Sequence, residues 1–94
     1  MIGTSILHGQ KTVASAGTAE LLLGAPTESY AVTIKALHAN SDMIYVGDDD
    51  VSSSNGFVLD AGEEVTILIF NERDNIYIDA GVNGEGVSYI GWVK

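Results

Sequence analysis

Apolar residues recur at every second position along most of this 94-residue chain, in stretches such as "YAVTIKALH" (30–38) and "EEVTILIF" (63–70) that are rich in Val, Thr, Ile, Tyr and Phe. A period of two puts alternate side chains on opposite faces of an extended backbone, and β-branched and aromatic residues suit such a pleated surface. Helical spacing is scarce. The best helix candidate, "TAELLL" at 18–23, is short and runs into "GAPTES" (24–29), with its glycine and proline, so it reads as a strand entering a turn. Clusters of Gly, Asn, Asp and Ser divide the chain into eight strands near 5–14, 17–23, 30–38, 42–47, 56–60, 63–70, 75–80 and 86–93. The pattern predicts one all-β domain over residues 1–94, a sandwich or jelly-roll of about eight antiparallel strands.

Within this pattern lies a repeat. "VTIKALHANSDMIYVGD" (32–48) aligns with "VTILIFNERDNIYIDA" (65–80) with one residue of slack, each copy running strand, polar turn, strand. Two readings stand: a duplicated hairpin, or two hairpins that converged on good β-forming residues. Either way Tyr45 and Tyr77 fall on equivalent faces, opposite Ile44, Val46, Ile76 and Ile78. The tyrosine face is then solvent, a second core layer, or a contact surface suited to an amphipathic ring.

Composition narrows the function. Thirteen acidic against four basic residues give a formal charge of −9. The scattered Lys11, Lys35, Arg73 and Lys94 make no basic patch, which excludes nucleic acid and disfavours anionic membrane as partners. Charged residues are only 18% of the chain, low for a freely soluble monomer, which points to surface covered by a partner. No cysteine is present, so disulfides, thiolate chemistry and zinc ribbons are excluded. The start "MIGTSILHGQK" has neither the basic beginning nor the apolar run of a signal peptide, so the protein is expected to remain in the cell that makes it until released.

Candidate chemistry is sparse. Asp48, Asp49 and Asp50 follow a strand in "IYVGDDDVSSSNG" (44–56). An EF-hand loop begun at Asp48 would place Ser53 where glycine is required and Leu59 where the bidentate glutamate is required, so it fails. Asp48 and Asp50 are left as weak candidates for another kind of calcium site, against a solvated loop that blunts edge pairing. His8 or His38 with Ser52–Ser54 and the aspartates can be drawn as a triad, but no nucleophile elbow supports it. Glu63 and Glu64, adjacent on one strand, point to opposite faces and cannot act as a hydrolytic pair. The glycines of 80–92 suit tight turns or a bulge better than a phosphate loop, since no helix follows them. In "SYIGW" Ile90 and Trp92 share one face and Tyr89 takes the other, with Trp92 expected to close the core. The expectation is therefore a non-enzymatic protein without a cofactor or a metal.

"IYVGDDDVSSSNGFVLDAGEEVTI" followed by "NIYIDAGVNGEGVSYIGW" resembles a group of small proteins encoded among the structural genes of tailed bacteriophages, virion accessory proteins of the capsid decoration or head-fibre type. The likeness spans about residues 30–92. It rests on the strand end 44–48, the Asn55-Gly56 turn, "LDAGEEV" (59–65) and "NGEGVSYI" (83–90). It implies a rigid module located on the virion, bound to the major capsid protein or another virion protein and self-associated as a homotrimer, so that modest contacts combine through avidity. The alternative is a tail or fibre module binding a receptor or carbohydrate through Tyr30, Tyr45, Tyr77, Tyr89 and Trp92. Leu21–Leu23, and Leu68 and Phe70 opposite Val65, Ile67 and Ile69, exceed what one core face can bury, so a second burial surface is expected. Interface candidates are Tyr45, Tyr77, Leu68, Phe70 and Tyr89.

Overall fold

The computed structural model describes residues 5–23, 30–69 and 75–93. Eight strands run in order: β1 (Ser5–Thr12), β2 (Glu20–Leu23), β3 (Tyr30–Ala36), β4 (Ile44–Gly47), β5 (Phe57–Leu59), β6 (Glu64–Ile69), β7 (Ile76–Ala80) and β8 (Gly86–Val93). Each lies within or at the bounds of a strand expected from the alternation, and no helix occurs among the described residues. The strands form two antiparallel four-stranded sheets, β1-β8-β3-β6 and β2-β7-β4-β5, stacked as a β-sandwich. The pairs β1·β8, β2·β7, β3·β6 and β4·β5 are nested one inside another.

The core forms between the sheets from the inward position of each alternation. Val32, Ile34, Val87 and Ala36 come from the first sheet, Ile44, Val46, Leu59, Ile76 and Ile78 from the second. Val13, just past β1, closes one end. Each buried Val, Leu or Ile among them contributes about 1.5–3 kcal/mol, so this layer is the main favourable term. Lys11 on β1 reaches across the mouth of the sandwich to Glu20 on β2, 3.0 Å away. An inward-facing charge at an edge discourages further strand pairing there.

The repeat is real in sequence, but its units are not hairpins. β3 and β4 lie in different sheets, as do β6 and β7, so each copy crosses from one sheet to the other. The copies instead pair with each other: Val32, Thr33 and Ile34 face Ile67, Thr66 and Val65. Tyr45, Val46 and Gly47 face Asp79, Ile78 and Tyr77. Thr33 and Thr66, equivalent in the alignment, meet with their Oγ1 atoms 2.8 Å apart. An approximate two-fold axis therefore runs through that contact and the Val46–Ile78 pair. Local spacing could not reveal this, because a crossing and a hairpin share the same strand-turn-strand pattern.

Two further expectations are corrected. Trp92 does not close the core; it stands on the outer face of β8 beside Ile90, while Tyr89 packs inward. The alternation assigned these residues to opposite faces correctly, but parity alone does not say which face is inside. The three leucines at 21–23 need less outside cover than expected. The β2–β7 register shifts between Leu21 and Leu23, and this bulge lets Leu22 enter the core with Leu23 packed against it, leaving Leu21 outside.

Candidate functional site

The loop after β4 carries the three aspartates. It folds back over the outer face of its own strand and seats Val51, which is buried, against Gly47 and Gly56. A Cβ on Gly47 would stand 2.9 Å from Val51 Cγ2, and one on Gly56 only 2.6 Å from Tyr45 Cβ, so both positions require glycine for this closure. The polar groups bind one another. The Asp50 N–H donates to Asp48 Oδ1 at 3.0 Å, the Ser52 N–H to Asn55 Oδ1 at 2.7 Å, and Asn55 Nδ2 to the Asp50 carbonyl at 3.0 Å. Among the described residues no group of three or more His, Cys, Asp or Glu is placed to hold a metal.

The members of the triad that could be drawn are not brought together. His8 is on the outer face of β1, His38 lies in the β3–β4 connection against Gly62, and Ser52–Ser54 belong to the loop of the other sheet. Tyr45 and Tyr77 share a face as expected. Tyr45 is buried there under the loop, however, and Tyr77 is half-buried. Tyr89 is half-buried and packs against the core. The side chain of Tyr30 and all of Phe70 lie outside the described residues. Of the aromatic residues named for a carbohydrate-binding alternative, Trp92 stands on one sheet and Tyr77 on the other.

Sequence reasoning did not single out Asp79. It is buried on the outer side of β7 and accepts the Gly17 N–H at 2.9 Å and the Ala80 N–H at 2.8 Å, so it holds down the β1–β2 loop. Two half-buried carboxylates do similar work. Glu20 is held below its ordinary pKa first by its hydrogen bond to Lys11 and then by the Ser15 and Ala14 N–H groups. Glu85 ties the β3–β4 connection to the β7–β8 turn and is lowered by the Ser41 N–H and hydroxyl, with a further contribution from the Asp42 N–H.

Two surfaces have the character of contact sites. One is a cleft of about 590 Å³ where the sandwich opens between β6 and the β4–β7 pair. Val46, Phe57, Val65, Ile67 and Ile76 supply its apolar lining, with Asp48 and Asp49 also bordering it. The other is the outer face of the β1-β8-β3-β6 sheet. Register places Ile6 beside Trp92, Trp92 beside Ala31, and Ala31 beside Leu68, an apolar row across all four strands. Ile6 is 74% exposed, Leu68 60%, Trp92 45%, and the adjoining Ile90 58%. Leu68 is therefore outward, as an interface candidate must be, whereas Ile6 and Ile90 were not singled out and Trp92 was expected in the core or at a carbohydrate site, because surface and core alternations look alike in sequence. No family model, curated protein or solved structure matches the chain, so its surfaces and the resemblance of its motifs carry the functional reading.

Proposed function

We propose that this chain is a non-enzymatic structural protein of a tailed-bacteriophage virion, one that self-associates and decorates the capsid exterior by binding the major capsid protein or another virion protein. The observation that carries the reading is the exposed apolar row on the outer sheet face, because contiguous apolar surface of this kind marks a protein–protein contact. The motifs at 44–48, 59–65 and 83–90 support it through their resemblance to virion accessory proteins. The nested strand pairing supports it too, and we take it as the jelly-roll arrangement. A surplus of carboxylates keeps unassembled copies apart and has no use for nucleic acid. Multiple equivalent sites on a shell would convert modest contacts per chain into firm attachment.

A second reading, a tail or fibre module that binds a receptor or carbohydrate, is favoured by the cleft at the open edge, whose volume falls in the range of small-ligand sites. Co-sedimentation separates the two. The purified chain mixed with capsids lacking it is expected to pellet with them and to saturate. If it stays in the supernatant with both capsids and tails of its phage, the decoration reading is wrong and the ligand-binding module takes its place.

A further inference from the structure

We infer that the outer face of the β1-β8-β3-β6 sheet seats the same face of a second copy, pairing two chains about a two-fold axis. This deepens the self-association in the reading above by naming the surface and the symmetry. The apolar row is uneven: Ala31, nearly buried, forms a dip between Trp92 and Leu68, with Ile90 projecting in the next row. Large side chains beside a small one let two such faces interdigitate as the inner faces of a sandwich do.

Charge selects the occupant. Ten of the chain's Asp and Glu residues lie within the described segments, and Glu64 alone stands on this face, opposite Lys35 in the register. The other nine are in loops, in turns or on the second sheet. A chain of charge −9 repels its own copies wherever its loops meet theirs. This balanced face is the surface on which two copies approach without that cost, whereas a strongly basic partner would find its complement elsewhere on the molecule.

Size is sufficient. Four strands at about 4.8 Å spacing and up to eight residues at about 3.4 Å give a footprint of roughly 500 Å² per copy, or about 1,000 Å² in all, the lower bound for a specific interface. An interface at that lower bound suits a weak, reversible pair. A face meeting its own copy is isologous and pairs chains. The trimer implied by the resemblance would instead require two different patches on each chain.

Trp92 is the chain's single tryptophan and lies within this face, so its emission reports the contact directly. Wild-type protein is diluted from hundreds of micromolar to below one micromolar, with mass by sedimentation velocity and Trp92 emission read on the same samples. The expected result is a two-chain mass at high concentration, with blue-shifted emission that moves red as the mass falls to one chain. Leu68→Glu and Ile90→Glu, each at an exposed position, are expected to stay monomeric with wild-type circular dichroism. Val82→Glu, at an exposed apolar position in the β7–β8 turn, is expected to pair normally. Association with unmoved Trp92 emission, or undiminished in both face variants, overturns the assignment of the face while leaving the virion reading to the capsid experiment. A three-chain mass overturns the two-fold pairing, and a monomer at every concentration overturns the inference altogether.

Discussion

Gly91 and Gly86 show how single positions bind this sandwich. A Cβ on Gly91 would run into the Ala31 carbonyl oxygen, and one on Gly86 into that of Lys11, both on neighbouring strands. Because backbone cannot yield as a flexible side chain can, Gly91→Ala is expected to destabilise the fold by about 3 kcal/mol, seen as a lower urea midpoint with an unchanged slope. Glu20 and Glu85 act through protonation. Both have folded pKa values below the ordinary 4.5. Their contributions are therefore fully present above that value, where folded and unfolded states both carry the charge, and are lost as pH falls through the lower folded values. Melting temperature is expected to decline as pH drops from 5, and a Glu20→Gln, Glu85→Gln double variant to decline less over the same interval. Equal slopes for variant and wild type would refute this.

At the scale of elements, the β4–β5 connection behaves as a packed unit because Val51 is buried under it against two glycines. Val51→Ala removes two methyl groups' worth of burial and leaves a small void, at a cost of about 1–2 kcal/mol. The expected signature is early amide exchange confined to 48–56 before the strands open. In the same loop the Asp48 carboxylate already accepts the Asp50 N–H, and among the described residues no three acidic or histidine side chains gather to hold a metal. Millimolar calcium added to chelated protein is accordingly expected to leave the melting temperature where it was, since a ligand bound to the folded state alone must raise it.

For the whole molecule, the nested pairing joins β1 to β8 and β2 to β7, strands from opposite ends of the chain. Closing such distant pairs costs loop entropy before the contacts are gained, so folding is expected on the millisecond-to-second scale. Stopped-flow tryptophan fluorescence would contradict this if refolding were complete within microseconds. The molecule also closes its two sides unequally: Lys11 and Glu20 bridge β1 to β2, while the side between β6 and the β4–β7 pair opens as the cleft.

The eight strands were legible in sequence because period-two alternation and turn residues are local signals, and "TAELLL" was read as a strand through the breakers that follow it. The shared face of Tyr45 and Tyr77 and the opposition of Tyr89 to Trp92 follow from the same parity. What the tertiary structure alone decided is which parity faces inward, since Trp92 and Ile90 alternate as faithfully as Val32 and Ile34 yet point to solvent. It likewise decided that the repeated units cross between sheets and pair with each other, that a bulge turns Leu22 and Leu23 inward, and that Asp79 is buried beneath a loop more than sixty residues distant in sequence. Each depends on contacts between segments far apart in the chain, and a local pattern carries no information about which distant strand it will meet.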